Sequence, residues 1–406
     1  MNLILNQSDS LAELIRRRRP GYALERPFYV APEIFERDLA LIYRRHWLLA
    51  GASCQICQPG DYFTYEIADD SIVVLRDEAN AVRAFHNVCR HRGSRICLEP
   101  TGHAKTLVCP YHAWSYGLDG RLRTARHLPA GIDPATLGLH PVETRVIEGL
   151  IFICLAEQPP DFTQTAADVA EYLRPHGLER TKVCRRSAHV IQANWKVVAE
   201  NFWECNHCAP THPEFGSVMS YVQAMNSQRY ATERREFEEA WTEITRRHGH
   251  KVGKIERSNG ALHQGGRLPI RPGYLTQSQG GQPVAPLLGD YTEYDGGITS
   301  FMHLPLIWYV VSNDHALLTR FTPISPLATE MELTWLVHED AVEGRDYDPD
   351  QVTWLWKVTG EQDKTICENN QRGILSSRYV PGPYVTTEGS TNDFVNWYLE
   401  ELKAAS

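Results

Sequence analysis

The chain has 406 residues, 42% hydrophobic and 22% charged, which is ordinary for a globular protein and too apolar for a disordered one. Its formal net charge of −9 gives no broad electrostatic footprint for nucleic acid. No stretch reaches the ~18 consecutive apolar residues of a membrane span, and MNLILNQSDS lacks the basic start and apolar core of a secretory leader. A cytoplasmic protein with neither a nucleic-acid nor a membrane partner is expected.

Ser10 is placed to cap a helix over Leu11–Arg18 that Pro20 stops. Arg16–Arg19 then sit at a helix C-terminus, where cations are favourable. A second helix is expected over Pro32–Trp47, with Ile34, Leu39, Ile42 and Trp47 on one side. From Gly60 to Leu155 the pattern changes to short strands: Tyr62–Ile67, Ser71–Arg76, Val82–Val88 and Val146–Leu155, with Asp119-Gly120 marking a hairpin. Pro159-Pro160 marks the exit from this small all-β region.

Beyond it the chain is mixed. Asn194–His207 and Ser227–Arg247 read as helices, and residues 265–297, rich in Gly, Pro and Gln, as long loops. Met302–Val311, Ala316–Ile324 and Glu332–His338 read as antiparallel strands. Asp348-Pro349-Asp350-Gln351 is an N-cap followed by Pro at the first helical position and Gln closing a capping box, opening a helix to about Arg372. The expected fold class is α+β. A small all-β domain spans 41–158, and a larger domain with an antiparallel sheet covered by helices spans 159–406. N-terminal helices in 1–40 pack on the larger domain.

Ten cysteines are scattered without a leader, so reduced thiols rather than a disulfide scaffold are expected. Cys54 and Cys57 lack a second ligand pair nearby and read as small hydrophobes. Cys89-Arg90-His91 and Cys109-Pro110-Tyr111-His112 differ. Each short loop offers one thiolate and one imidazole. A Rieske [2Fe–2S] cluster needs two Cys on one iron and two His on the other, so two such loops clamp it from two sides. A Cys₂His₂ zinc site is the competing reading; it calls for a helix carrying one ligand pair, whereas both pairs here lie between strand-like segments.

A second constellation lies in Asn194–His212. His207 and His212 are five apart, which on a regular helix is about 140°. Pro210 between them breaks that regularity, so a distorted helix end could converge both rings on one metal. In the last long helix Leu355, Trp356, Thr359, Asp363, Ile366 and Asn370 recur at helical spacing, and Asp363 interrupts a largely apolar stripe. A buried carboxylate needs a compensating cation. His207, His212 and Asp363 would form a 2-His-1-carboxylate triad with positions left open for O₂. A zinc site made of Cys205, Cys208 and both histidines is the alternative, and it leaves Asp363 unexplained.

Asn87-Val-Cys-Arg-His-Arg-Gly-Ser94 and Cys109-Pro-Tyr-His-Ala-Trp-Ser-Tyr116 resemble the two halves of the Rieske domain in Rieske non-haem iron oxygenases of the aromatic-ring-hydroxylating type. Glu200-Asn-x-x-Glu204-x-x-His207-x₄-His212 and Gln362-Asp363-x₄-Glu368-x-x-Gln371-Arg-Gly373 resemble their catalytic domain, in order, so the resemblance covers nearly the whole chain. It implies a [2Fe–2S] cluster on Cys89, His91, Cys109 and His112, and a mononuclear Fe(II) on His207, His212 and Asp363. It implies catalytic roles for Asn201 and for Glu204, the carboxylate linking cluster to iron. It also implies a head-to-tail homotrimer in which the cluster of one chain serves the iron of its neighbour through His112, Glu204 and His207. O₂ and a small molecule are the substrates. Electrons come from a separate reductase of flavin/ferredoxin type; no G-x-G-x-x-G fingerprint occurs here, so NAD(P)H and flavin belong to that partner.

Glu204, where most ring-hydroxylating members have Asp, resembles the branch acting on glycine betaine, proline betaine and carnitine, as does Pro381-Gly-Pro-Tyr384. That branch reads Glu-Asn-Asn-Arg-Glu-Cys-Tyr-His-Cys. Phe202, Trp203 and Asn206 depart from it, and with Trp308 and Tyr309 they are the expected substrate pocket. Phe202, Trp203, Trp308 and Tyr309 then have three readings. They hold a quaternary ammonium by cation–π contact, form an apolar slot for an aromatic acid, or are core. The expected activity is oxidative N-demethylation of a betaine-like or N-methylated acid. The alternatives are hydroxylation or dihydroxylation of an aromatic acid and, more remotely, a non-catalytic Rieske electron carrier.

Overall fold

The computed structural model describes residues 10–219, 228–247, 249–255 and 263–404. The chain divides into two units: Arg44–Asp161, and the segment up to Tyr43 together with everything from Phe162 onward.

The first unit is built of β1 (Leu48–Ala52), β2 (Asp61–Ile67), β3 (Asp70–Arg76), β4 (Val82–His86), β5 (Thr101–His103), β6 (Leu107–Val108), β7 (Ser115–Tyr116), β8 (Leu122–Thr124), β9 (Pro141–Ile147) and β10 (Leu150–Cys154). One antiparallel sheet has the order β1-β10-β9-β4-β3-β2-β5, and a smaller one β6-β7-β8. The expected strand over Val146–Leu155 is in fact a hairpin. Glu148 and Gly149, at φ 45° and 89°, turn the chain between β9 and β10. The Asp119-Gly120 hairpin joins β7 and β8, with Gly120 at φ +79°. Val73, Leu75, Phe85, Leu107, Trp114 and Tyr116 form a core that also buries Cys89 and Cys109. That core fixes the two cysteine loops.

The second unit has helices α1 (Leu11–Arg17), α2 (Arg26–Val30), α3 (Pro32–Asp38), α4 (Thr163–Leu173), α5 (Trp195–Phe202), α6 (Cys208–Thr211), α7 (Pro213–Val218), α8 (Gln228–Arg247), α9 (Pro349–Ile374) and α10 (Gly389–Ala404). Its strands are β11 (Thr181–Ile191), β12 (Gly253–Ile255), β13 (His263–Pro269), β14 (Gly297–His303), β15 (Ile307–Val311), β16 (Ala316–Ser325) and β17 (Ala328–His338), in the order β11-β17-β16-β15-β14-β13-β12. Ser10 closes a capping box with Glu13, as its position implies. Asp348 caps α9 through the Asp350 N–H.

Several expectations change. The helix from Pro32 widens into a π turn over Leu39–Tyr43 and does not include Trp47. The expected helix Asn194–His207 ends at Phe202. Ser227 lies outside the described residues. The expected strand Met302–Val311 is two strands reversing over 304–306. The loop expected from residue 265 starts only after Pro269, because β13 is a strand disguised by glycine. A Cβ on Gly265 or Gly266 would run into the carbonyl oxygens of Ser300 and Gly253, so close strand approach selects glycine there.

Alternation gives this sheet two faces. Thr165 and Asp168 of α4 bond His263 at 3.0 and 2.8 Å, and Tyr172 packs edge-on against Phe301. Gln264, Ser300, Met302, Trp308 and Val310 line a cavity on the other face.

The N-terminal segment is tied to α5 by a fully buried ion pair. Asp38 accepts from Lys196 Nζ, from Trp195 Nε1 at 2.9 Å and from Tyr398 OH at 2.7 Å. One turn on, the Glu200 carboxylate accepts from Tyr29 OH at 2.7 Å and Tyr384 OH at 3.1 Å. Burial raises the Glu200 carboxyl to about 7, against the pull of the two hydroxyls.

Removing one partner of a buried pair leaves a charge without compensation, so Lys196→Met is expected to destabilise by ~3–5 kcal/mol in denaturant unfolding. Glu200 binds its proton more tightly folded than unfolded. Its contribution is therefore complete below the ordinary glutamate value of 4.5 and is lost as pH rises through about 7. Glu200→Gln should flatten the fall of the unfolding midpoint across that window.

Candidate functional site

The cysteine loops are near copies. In one, Cys89 N–H bonds Ser94 O at 2.8 Å and Gly93 N–H bonds Cys89 O at 2.9 Å; in the other, Cys109 N–H bonds Trp114 O at 2.8 Å and Ala113 N–H bonds Cys109 O at 3.0 Å. Each turns through positive φ at its fifth residue, Gly93 at 80° and Ala113 at 56°. Both sulfurs are buried, while His91 and His112 are exposed with ring centroids 4.6 Å apart. Trp114 stacks under His91 at 4.7 Å, fixing its plane.

The surroundings of the two sulfurs differ: burial and the neighbouring Cys109 push the Cys89 thiol up. Burial opposes ionisation of Cys109, yet the N–H groups of Tyr111 and His112 and the Ser94 hydroxyl hold its thiol below the ordinary value. Tyr116 OH lies 3.3 Å from Cys89 Sγ. Two adjacent thiols and two adjacent imidazoles, on opposite loops, fit a cluster with two sulfur and two nitrogen ligands. Both pairs lie in loops between strands, with no helix carrying either.

The second centre forms where α5 stops. Asn194 caps α5 and Trp203 ends it, so residues 203–207 form a turn and His207 leads into the single turn α6. Pro213 then opens α7 immediately after His212. Breaking the helix twice solves the spacing problem: the two imidazoles, badly placed on one continuous helix, come to 5.1 Å between centroids. From α9, Asp363 Oδ1 reaches His212 Nε2 at 3.1 Å and His207 Nε2 at 3.3 Å. Outer nitrogens are held too: His207 Nδ1 by Glu204 Oε1 at 2.5 Å and His212 Nδ1 by Gln362 Oε1 at 2.9 Å. Both Nε2 atoms are thereby left facing Asp363, as a three-donor metal site requires.

Burial works against a charged His207, but its bonds to Asp363 and Glu204 prevail and raise it to about 9. Asn201 donates to Asp363 Oδ1 at 2.9 Å, and Cys367 Sγ donates to Asn201 Oδ1 at 3.4 Å. The helix face differs from the expected stripe, since Cys367 and Gln371 are buried while Asn370 is exposed.

Cys205 and Cys208 are bonded to each other, against the expectation of reduced thiols; the turn brings their Cα atoms to 5.0 Å. Cys208 Sγ approaches His207 Nε2 at 3.9 Å, and its sulfur lies in one group with both histidines.

These residues border a cavity of about 710 Å³. Phe202 packs on Trp308 at 6.0 Å and on Phe321 at 4.7 Å; Trp308 meets Trp356 at 4.5 Å; Trp356 meets Phe215 at 5.4 Å. Trp356 and Phe215 belong to this wall although the sequence reading did not single them out for it. Trp203 also borders the cavity, stacked with Phe394. Tyr309 does not: strand parity puts it on the face toward α4, where it bonds His303 at 2.9 Å. Asn206 lies outside the cavity lining, its backbone N–H donating to Glu204.

Residues 46–141 match the Rieske [2Fe-2S] domain, and residues 178–404 the catalytic domain of the ring-hydroxylating alpha subunit. The chain belongs to this family of oxygenases, which carry a Rieske cluster and a mononuclear non-haem iron. It is 37% identical to the glycine betaine monooxygenase oxygenase subunit of Chromohalobacter salexigens, over 97% of this chain and 89% of that one. The glycine betaine monooxygenase oxygenase subunit of Pseudomonas aeruginosa is 36% identical over 96% and 91%. In fold, the chain resembles the quaternary ammonium Rieske monooxygenase CntA bound to L-carnitine, with a TM-score of 0.71 at 21% identity, covering 96% of this chain and 98% of that one.

The two centres use disjoint side chains, so they should fail separately. Cys89→Ser should abolish the Rieske EPR signal. Asp363→Ala should keep that signal while iron per chain falls by the mononuclear equivalent and turnover is lost.

Proposed function

We propose that this chain is the oxygenase component that oxidatively N-demethylates a quaternary ammonium acid of the betaine type. The carrying observation is the aromatic wall beside the triad. Trp308 Nε1 donates to Ser300 Oγ at 3.0 Å and Trp356 Nε1 to Gln277 Oε1 at 3.3 Å. With both N–H groups already donated to protein acceptors, the two indoles contribute ring surface to the cavity and no free donor for an anion. Such surface attracts a cation that cannot itself hydrogen-bond. The names of the similar oxygenase subunits support the same reading.

In this reading Cys89, His91, Cys109 and His112 hold the cluster, and His207, His212 and Asp363 hold the iron. The cluster supplies electrons singly, and the iron supplies O₂ activation. The protein's part is positional. Glu204 anchors His207 at Nδ1 and forms the carboxylate bridge toward a neighbouring subunit's cluster in a homotrimer. Asn201 holds the Asp363 carboxylate in register. The ring wall sets an N-methyl carbon against the open side of the triad. Hydroxylation of that carbon consumes O₂, two electrons and two protons and yields water. The resulting N–CH₂OH group then breaks its C–N bond, releasing formaldehyde, a proton and the tertiary amine. Electrons come from a partner reductase, which we assign to the NAD(P)H-dependent flavin/ferredoxin type. For the domain limits we propose 41–158 for the Rieske domain and 159–406 for the catalytic domain, with 1–40 packing on the latter.

With reductase supplied, formaldehyde should appear in step with O₂ consumed for an N-methylated acid such as glycine betaine. Hydroxylated product from an aromatic acid, with no formaldehyde from any N-methylated compound, would overturn the assignment. Trp308→Leu keeps an apolar side chain but removes the π surface. A cation–π contact of ~1–2 kcal/mol implies a KM raised about 5–30-fold, with kcat nearly kept.

A further inference from the structure

Gln362, which holds His212 at Nδ1, precedes Asp363 in the motif that resembles the catalytic domain. Both residues reach the same ring. Asp363 Oδ1 lies 3.1 Å from His212 Nε2, and Gln362 Oε1 lies 2.9 Å from His212 Nδ1. The Gln362 amide nitrogen donates in turn to Glu214 Oε2 at 2.8 Å. Glu214 lies two residues beyond His212, in the first turn of α7.

The order of donors along this chain follows from valence. An ionised carboxylate only accepts, so the NH₂ of Gln362 must face Glu214 and its carbonyl must face His212. A carbonyl only accepts, so His212 must carry its proton on Nδ1. The lone pair on Nε2 then points toward Asp363. One half-buried carboxylate thereby decides an amide orientation and, through it, an imidazole tautomer. The two histidines are supported differently: His207 is backed directly by Glu204, and His212 by a neutral amide held by a carboxylate one step further out.

We propose that Gln362 and Glu214 are positioning residues that lock His212 in the Nε2-presenting tautomer, and that Glu214 acts through Gln362. This rests on the reading of His212 as a metal ligand. Without Glu214, the amide can turn its NH₂ toward His212 and favour the tautomer with the proton on Nε2, which cannot bind a metal at that atom. Without Gln362, Glu214 has nothing to orient.

The test uses the full chain with its Rieske cluster intact, the mononuclear site emptied, and Co²⁺ titrated anaerobically against a competing chelator. Cluster absorption and the unfolding midpoint of the metal-free protein report on folding. Gln362→Leu should raise the Co²⁺ Kd roughly 10–100-fold, the usual range for loss of a ligand's supporting hydrogen bond. Glu214→Ala should raise it by a smaller factor; because Glu214 is half-buried, this variant also serves if Gln362→Leu folds poorly. The double variant should bind no worse than Gln362→Leu alone, since the two act in series. Multiplicative losses in the double variant would overturn the series arrangement. A Kd within twofold of wild type for Gln362→Leu, while His212→Ala abolishes binding, would overturn the proposal and leave the ligand reading intact. Unchanged binding in His212→Ala would overturn the ligand reading itself.

Discussion

The second unit is organised around one carboxylate that cannot be left alone. Asp363 is 5% exposed, and a charge that deep costs several kcal/mol unless partners surround it. Its partners come from separate stretches of chain: Asn201 from the end of α5, His207 from the turn beyond, and His212 from the junction of α6 and α7. Satisfying it goes with a short helix after Asn194 and with Pro213 opening a new helix directly after His212. The same geometry that meets a folding cost leaves two Nε2 atoms and a carboxylate oxygen facing one point. A divalent cation there needs both imidazoles in their neutral form, so metal binding should compete with protons as pH falls.

That arrangement needs α5 to be immobile, and the N-terminal segment supplies this. Asp38 and Lys196 neutralise each other with no exposed side-chain surface, and Trp195 and Tyr398 complete the hydrogen bonding. Glu200, on the next turn, is gripped by Tyr29 and Tyr384 from either end of the chain. Residues before Tyr43 and after Tyr379 thus belong to the support of the proposed iron site, although neither stretch supplies one of its proposed ligands. The Pro381-Gly-Pro-Tyr384 motif acquires a physical reason: it delivers a tyrosine to a carboxylate one residue before Asn201.

What was legible in the sequence were contacts set by residue type at short range. The paired Cys-x-His and Cys-x-x-His loops, the caps at Ser10 and Asp348, the Asp119-Gly120 turn and the anomaly of Asp363 in its stripe all announce themselves locally. What stayed hidden depends on which face a residue takes or on what approaches from afar. Trp308 and Tyr309 are adjacent aromatics, and only the register of β14 and β15 shows that one borders the cavity and the other faces α4. The strand at Gly265-Gly266 was unreadable because close neighbours selected glycine, a poor strand former. Cys367 and Gln371 replace Ile366 and Asn370 on the buried face because Asp363 and its contacts set the rotation of α9, which a hydrophobic count cannot weigh. Trp356 could have been found from its place one turn before Thr359 and two before Asp363 on that face. Gln362 lies off the stripe; the motif marks its position, and only its two hydrogen bonds give its partners.

The central claim is that two separate iron centres are assembled from these two sets of side chains. Anomalous diffraction at the iron edge, on crystals of the protein purified with its native metals, tests it most directly. The account predicts a close pair of iron peaks among Cys89, His91, Cys109 and His112, and a single iron peak bounded by His207 Nε2, His212 Nε2 and Asp363. A zinc-edge signal at either place, or no iron peak between the two histidines and Asp363 in metal-replete protein, would contradict it.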